Sequence, residues 1–185
     1  IGKQDQYATA CGGLNVIEFH ASGAVTVEPV KLAENVYQTL EQNLLMFYTG
    51  AQRSASNILA EQKKNTSQDD KFNALKSMVS LVYDTRQALE KDRPDDLGKI
   101  LHENWVLKKK LASGISNPAI DEAYNTALRN GALGGKLLGA GGGGFLLFYC
   151  PVNLQPKLIE ALKPLRKFDF RFEGEGSKLI HISDE

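Results

Sequence analysis

Short apolar runs bounded by turn residues divide the chain and predict its strands. The clearest runs are Leu44–Tyr48 and Phe145–Tyr149, each of the length and character of a buried strand. Two further runs flank Ser22-Gly23, a dipeptide that favours a hairpin turn. Strands are predicted over residues 15–19, 24–27, 44–48, 135–138, 145–149, 168–172 and 178–182.

Between these runs, hydrophobic residues recur every three or four positions, which is the repeat of an amphipathic helix. Leu32, Val36 and Leu40 form a short example. Asn117-Pro118 is a helix start and Asn130-Gly131 a helix stop. Longer helices are predicted over about residues 53–63, 71–91, 95–111, 117–130 and 153–165. The second of these has one apolar face, made of Phe72, Leu75, Val79, Val82 and Leu89.

From Leu44 onward the predicted order is strand, helices, strand, strand, helix, strand, strand. Such an order fits an α+β sandwich. The sequence therefore predicts the α+β class and a ferredoxin-like arrangement with inserted helices.

Composition narrows the class of partner. Lys plus Arg and Asp plus Glu each number 22, so no net charge attracts nucleic acid or an anionic membrane surface. Cys11 and Cys150 lie far apart and in no metal-binding spacing, which favours a reducing compartment.

Neither a membrane span of roughly 20 apolar residues nor a signal peptide is recognisable, so a cytoplasmic location is predicted. The first residue, Ile1, is not Met, and we expect a piece of a longer chain.

The most informative motif lies between two apolar flanks and consists of Gly139, Ala140, Gly141, Gly142, Gly143 and Gly144. A flexible linker is expected between polar segments, whereas both flanks here are strand-like, so the motif is predicted to be held in place. It is then either a structural tight turn or a loop whose N–H groups approach an anion such as phosphate. It is not a Walker A loop, because no Gly-Lys-Ser/Thr follows, and a dinucleotide fingerprint would be followed by a helix.

The longer stretch from Gly131 to Phe145 resembles the third conserved motif of the GHMP kinases, the superfamily of galactokinase, homoserine kinase, mevalonate kinase and phosphomevalonate kinase. Residues 101–121 resemble the helical lead-in to that motif. Leu138 and Phe145 stand where the mevalonate kinase branch commonly has Thr and Cys. The chain is most similar to the sugar-kinase branch that includes D-glycero-D-manno-heptose 7-phosphate kinase.

The resemblance implies a domain division and a reaction. Residues 1–43 would be the end of an amino-terminal kinase domain, with a catalytic helix, a hairpin and a connecting helix, and residues 44–185 the GHMP kinase carboxy-terminal domain. The implied reaction transfers the γ-phosphoryl group of ATP to a hydroxyl of a sugar or sugar phosphate, with Mg²⁺ offsetting the phosphate charge. The family's ATP-binding loop, which carries the metal ligands, has no counterpart here, so the chain alone is expected to be inactive.

Asp5 is the candidate catalytic residue. An Asp near a helix start ordinarily complements the helix dipole and caps free amides, and spacing alone favours that role. The pair Asp5-Gln6 before Gly12-Gly13, however, resembles the GHMP element in which this Asp is the proposed general base. A carboxylate within hydrogen-bond reach of the acceptor hydroxyl can orient that hydroxyl and take its proton.

Other charged residues are weaker candidates for substrate binding. Arg53 could reach a sugar hydroxyl or a phosphate, or be an ordinary charge in the first turn of a helix. Lys136 could steady the glycine motif or a phosphate cleft, or simply occupy a strand edge. The three lysines at 108–110 could contact a substrate phosphate, but consecutive lysines on a helix point in different directions, so a solvated face is expected. Trp105 is expected in the core rather than stacked on a sugar.

Two other functions are considered as alternatives to that of a sugar kinase. One is a GHMP kinase of another branch, acting on an isoprenoid or an amino alcohol. The other is a ferredoxin-like regulatory or interaction module without catalysis, in which the glycine motif is only a tight turn. For either kinase the expected partner is a small molecule.

Overall fold

The computed structural model describes residues 3–50 and 55–180 of the chain. They form two compact units, one made of residues 3–31 with 171–180 and the other of the described part of 32–170. The domain boundary predicted after residue 43 stays a prediction. The helix predicted just before that boundary lies in the second compact unit.

The first unit contains a helix followed by a hairpin. Helix α1 (Gln4–Cys11) leads to strands β1 (Asn15–Phe19) and β2 (Val25–Pro29), which pair antiparallel. The hairpin predicted around Ser22-Gly23 is therefore confirmed. Residues 171–180 run beside the end of α1, where the Ser177 N–H donates to the Ala10 carbonyl.

The second unit begins with helix α2 and strand β3 and then alternates helices with strands. Its described helices are Glu34–Asn43 (α2), Ala55–Asn65 (α3), Asp69–Glu90 (α4), Asp96–Lys109 (α5), Pro118–Arg129 (α6) and Gln155–Ala161 (α7). Its described strands are Leu44–Tyr48 (β3), Gly134–Leu137 (β4), Phe145–Tyr149 (β5) and Arg166–Phe168 (β6). The predicted helix start is confirmed, because the Asn117 side chain accepts the Ile120 N–H at 3.0 Å.

The four strands of the second unit form one antiparallel sheet in the order β4-β5-β3-β6. Numbered along the chain, these strands stand across the sheet as second, third, first and fourth. That is the ferredoxin-like order, with α3 to α6 inserted after the first strand and α7 after the third. The predicted fold class is confirmed.

Helices cover one face of the sheet and form the main core with it. Leu45, Phe47, Leu137, Leu146 and Phe148 alternate along their strands and are all buried in this core. The facing side chains come from the helices and the loops between them, namely Trp105, Ile115, Ile120, Tyr124, Ala127 and Leu158. Trp105 is fully buried, as predicted for a core residue.

The apolar face predicted for α4 is wrong in part: Leu89 is buried and Leu75 is partly buried against the core, but the other three residues are exposed. Phe72, Val79 and Val82 are 47%, 58% and 44% exposed, while the buried residues of α4 are Ala74, Leu81, Ala88 and Leu89. Ala74, Leu81 and Ala88 are seven residues apart, the spacing of a seam between two packed helices. Helix α4 packs on α5. The buried face of α4 thus includes two small alanine side chains, while three bulkier apolar residues stay exposed.

Of the last two predicted strands, the first is displaced along the chain and the second is not found over its described residues. The chain pairs with β3 only over Arg166–Phe168, so the strand predicted at 168–172 ends where it was expected to start. From residue 171 the chain belongs to the first unit and leaves the sheet. Residues 178–180 form no strand, and the rest of the strand predicted to 182 lies outside the described residues. Leu179 and Ile180 are 79% and 94% exposed, so their apolar pattern is not buried against a partner.

A buried tyrosine joins three elements of the second unit. The Tyr149 hydroxyl on β5 donates to Asp95 Oδ1 at 2.7 Å and accepts from Asn43 Nδ2 at 2.9 Å. Burial raises the pKa of this hydroxyl above its usual range. The end of α2, the middle of the sheet and the start of α5 are therefore held by one neutral phenol.

Helix α5 also lies directly against β4, through two glycines. A Cβ on Gly134 would overlap the Gly98 carbonyl oxygen of α5, and a Cβ on Gly98 would come within 2.6 Å of Leu133 Cβ. Backbone therefore meets backbone where a side chain has no room.

We expect Gly134→Ala to lower the free energy of unfolding by about 3 kcal/mol or more, because the new methyl group must displace α5 from the sheet. Urea unfolding followed by circular dichroism measures this change. Gly114→Ala is the matched control, since its Cβ would only touch Ile58 Cγ1 at 3.4 Å. The close approach of α5 and β4 would be disproved by equal stability of the two variants.

Candidate functional site at the glycine turn

The glycine motif forms the connection between β4 and β5, and its backbone requires glycine. Gly139, Gly141, Gly142 and Gly144 have positive φ values of 71°, 119°, 78° and 108°. Side chains other than hydrogen rarely tolerate this region. A Cβ on Gly141 would also come within 2.8 Å of Ile115 Cα. Residues 139–144, called the glycine turn below, are thus a tightly built loop.

Hydrogen bonds with Thr49 and Ile115 fix the far end of the glycine turn. The Thr49 N–H donates to the Gly144 carbonyl at 2.9 Å, and the Gly144 N–H donates back to Thr49 Oγ1 at 3.0 Å. The Gly142 N–H donates to the Ile115 carbonyl at 2.9 Å. The end of β3 and the loop before α6 therefore hold this end in place.

Four other N–H groups of the glycine turn have no acceptor among the residues that the structure describes. They are the N–H groups of Gly139, Ala140, Gly141 and Gly143. Consecutive free N–H groups in a glycine-rich turn can form a concavity that binds an anion. The chemistry of this turn therefore suits a phosphate group.

The near end of the glycine turn is fixed through carbonyls on the outer edge of β4. Tyr124 donates its hydroxyl to the Gly135 carbonyl at 3.1 Å. Lys108 Nζ donates to the carbonyls of Leu137 at 3.2 Å and Gly139 at 2.5 Å. The Gly135 and Leu137 carbonyls are two residues apart in β4 and so lie on the same edge of the strand, and the Gly139 carbonyl follows in the turn. Side chains of α5 and α6 thus replace a neighbouring strand.

Lys108 is buried, with only 9% of its surface exposed. Burial and, secondly, the positive charge of Lys136 lower its pKa from the usual 10.5 to about 8. Burial also lowers the pKa of Lys136, whose Nζ donates to Asn104 Oδ1 at 3.0 Å. Among the described residues, neither ammonium group contacts a carboxylate. Two cations that contact no carboxylate in the described ranges therefore lie beside the start of the glycine turn.

A neighbouring hydrogen bond assigns a histidine tautomer. The Tyr124 hydroxyl has one proton, which it donates to the Gly135 carbonyl. His102 Nδ1, 2.9 Å from the same hydroxyl oxygen, must then be the donor of that contact. His102 is thereby a structural partner of the β4 edge.

The structure brings some of the sequence-predicted residues together. Lys136 and the glycine turn lie in the second unit, on β4 and directly after it. Asp5 belongs to the first unit, where it is exposed in the first turn of α1. Arg53 lies outside the described residues. The roles predicted for Asp5, Arg53, Lys136 and residues 139–144 stay predictions.

Sequence reasoning missed Lys108, which was predicted to be solvated together with its two lysine neighbours. The sequence does contain a signal, because Lys108 follows Trp105 by three positions and so lies on the same side of the helix as this core residue. Lys110, by contrast, is exposed. A lysine run on a helix must therefore be examined position by position.

Other kinds of site have little support in the described residues. No three His, Cys, Asp or Glu side chains in this part of the chain come together in a way that could hold a metal ion. No helix of the described ranges has the length and apolar character needed to cross a bilayer.

The lowered pKa of Lys108 has a consequence for stability. Between about pH 8 and 10.5 the unfolded chain holds the Lys108 proton and the folded protein does not. The free energy of unfolding should therefore rise with pH through this window, by up to about 3 kcal/mol relative to Lys108→Met. Urea unfolding of both proteins at pH 7.5, 9 and 10.5 measures the difference. Parallel pH curves would show that Lys108 is not buried as a cation.

Comparisons with known proteins agree with this architecture. The family model described as GHMP kinases C terminal matches residues 85–166, which include α5, α6, the glycine turn and β5. A D-glycero-alpha-D-manno-heptose 7-phosphate kinase from Campylobacter jejuni is 34% identical over 98% of this chain and 54% of its own length.

Solved structures give the same picture. The crystal structure of a D-glycero-D-manno-heptose 1-phosphate kinase from Bacteroides thetaiotaomicron superposes with a TM-score of 0.67 at 27% identity, covering 98% of this chain and 50% of that one. L. major mevalonate kinase, solved with R-mevalonate, has a TM-score of 0.71 at 23% identity over 95% of this chain and 53% of its own, which shows the shared fold. The chain spans about half the length of these relatives. Residues 85–166 of this chain therefore belong to the carboxy-terminal domain of the GHMP kinases.

Proposed function

We propose that this chain is the carboxy-terminal part of an ATP-dependent sugar or sugar-phosphate kinase that transfers the γ-phosphoryl group of ATP to a sugar hydroxyl. The observation that carries the proposal is the glycine turn, with four N–H groups that have no acceptor among the described residues, in a GHMP kinase carboxy-terminal domain. The relatives at 34% and 27% identity are heptose-phosphate kinases. A heptose phosphate is accordingly the first substrate class to test.

In this proposal the glycine turn forms one wall of the cleft that binds nucleotide and substrate in the complete protein, and it contacts a phosphate group there. Backbone N–H groups are neutral donors that need no counter-ion, and the ammonium groups of Lys108 and Lys136 add a positive field beside them. A phosphate brings the negative charge that these two cations lack among the described residues. Stabilising and positioning charged phosphate oxygens is most of what a kinase does.

Asp5 is the proposed general base. It is exposed, and among the described residues its carboxylate has no partner; Thr9 Oγ1 donates to its backbone carbonyl at 2.8 Å, not to the carboxylate. Such a carboxylate is free to accept a hydrogen bond from a substrate hydroxyl and to take its proton. Arg53 and Lys136 are proposed to contact the substrate.

The proposed cofactors are ATP and Mg²⁺. Phosphate oxygens suit the N–H groups of the glycine turn, whereas the described residues hold no cluster of acidic side chains for a metal. The family's ATP-binding loop and most metal ligands are therefore proposed to lie outside these 185 residues. Mg²⁺ would supply charge neutralisation on the phosphates.

We expect Asp5→Asn, in the complete protein that contains this chain, to lower kcat by about 100-fold or more, because the acceptor hydroxyl loses its base. A coupled assay of ADP release measures the rate, and thermal unfolding checks that the fold is kept. Asp69→Asn is the matched control, an exposed Asp in the first turn of α4. Wild-type turnover in Asp5→Asn would remove Asp5 from the mechanism.

The proposed reaction itself is tested by calorimetry and by product analysis. ATP with Mg²⁺ and a panel of heptose phosphates, hexoses and mevalonate are offered to the complete protein, and new phosphate esters are sought by mass spectrometry. We expect a phosphorylated sugar or sugar phosphate. Phosphorylated mevalonate would assign another GHMP branch, and the absence of both binding and product would favour the non-catalytic module.

A further inference from the structure

The side chain of Lys108 spans the junction between β4 and the glycine turn. Its Nζ lies 3.2 Å from the carbonyl oxygen of Leu137, the last residue of β4, and 2.5 Å from that of Gly139, the first residue of the turn. A hydroxyl, with one proton, could serve only one of these carbonyls, whereas an ammonium group has three donors. A lysine at this position can therefore hold both.

The contact with Gly139 determines where another group of the turn points. The Gly139 carbonyl and the Ala140 N–H belong to one peptide unit, which is planar and trans. In a trans peptide the C=O and N–H point in opposite directions. When Lys108 binds the carbonyl, the Ala140 N–H must point away from α5, and it is one of the four N–H groups without an acceptor among the described residues.

A second helix acts on the next peptide unit in the same way. Gln62 Nε2, on α3, donates to the Ala140 carbonyl at 3.3 Å. The Gly141 N–H, across the same peptide, therefore points away from Gln62, and it too has no acceptor among the described residues. Of the two helices, α5 provides the charged contact, and hydrogen bonds that involve an ion are about twice as strong as neutral ones.

We propose that Lys108 is a positioning residue, which by binding the Gly139 carbonyl presents the Ala140 N–H to a phosphate oxygen bound at the glycine turn. This inference rests on the proposed function only for the identity of the phosphate, which belongs either to the nucleotide or to a sugar phosphate. The positive charge also polarises the peptide that it binds and so makes the Ala140 N–H a better donor. A buried lysine whose only role was to satisfy carbonyls at a strand edge would neither orient nor polarise an N–H group for a ligand.

The test follows the backbone amide signals of the glycine turn by ¹H–¹⁵N NMR while inorganic phosphate is added to the complete protein. In the wild type we expect the Ala140 amide to shift downfield as phosphate binds. Lys108→Met should weaken phosphate binding by about tenfold, and Lys108→Arg, which keeps charged donors, should restore it to within about threefold. Lys110→Met, which removes an exposed lysine two residues away, should bind as the wild type does.

The separate effects on KM and kcat distinguish a positioning residue from a merely structural one. Lys108→Met should raise KM for the phosphate-bearing ligand about tenfold and change kcat less than about threefold, because the residue orients a binding group and takes no part in the chemistry. Titrations with ATP plus Mg²⁺ and with a sugar phosphate identify which ligand loses affinity. Gln62→Met, on α3, should weaken binding of the same ligand by a smaller factor.

Three results would overturn the proposal: no response of the turn amides to phosphate in the wild type, unchanged affinity in Lys108→Met, or failure of Lys108→Arg to restore it. Should Lys108→Met not fold, Lys108→Gln takes its place, since it keeps neutral donors and removes the charge. Phosphate binding that depends on Lys108 in a protein without kinase activity would reject the proposed function and leave the role of Lys108 standing.

Discussion

The hydrogen bonds that α5 and α6 donate to the outer carbonyls of β4 determine the geometry of the site. An edge strand ordinarily leaves a row of unpaired backbone groups, which must be covered or kept in water. Here Tyr124 and Lys108 satisfy the carbonyls of Gly135, Leu137 and Gly139, and glycines let α5 come close enough to do so. The same contacts that close the sheet therefore define the point from which the glycine turn departs.

The secondary structure was largely predictable, because a run of consecutive apolar residues has few alternatives to a buried strand. Strands β3 and β5 were predicted with their observed bounds. The face that α4 buries was not predictable from its own pattern, because this helix has apolar residues on more than one side. Packing decided the outcome, since α4 buries the small Ala74 and Ala88 and leaves the bulkier Phe72 and Val79 exposed.

The site was predictable where backbone geometry requires one residue type, and less so where charge is involved. Positive φ at four positions explains why the turn is rich in glycine. Lys108 was missed because a charge in a run of three is ordinarily solvated, and its burial depends on two carbonyls that only the folded chain places beside it. The roles of Asp5 and Arg53 depend on a ligand, which no pattern within the chain specifies.

The core beside the turn contains a built-in optical probe. Trp105 is the chain's one tryptophan, it is fully buried next to Tyr124, and within the described residues its Nε1 has no hydrogen-bond partner. An indole in such dry surroundings emits at short wavelength, and the ammonium group of Lys109 lies 5.7 Å from its ring. Because Trp105 precedes Lys108 by one helical turn, its fluorescence offers a label-free signal of any movement of α5 that accompanies ligand capture.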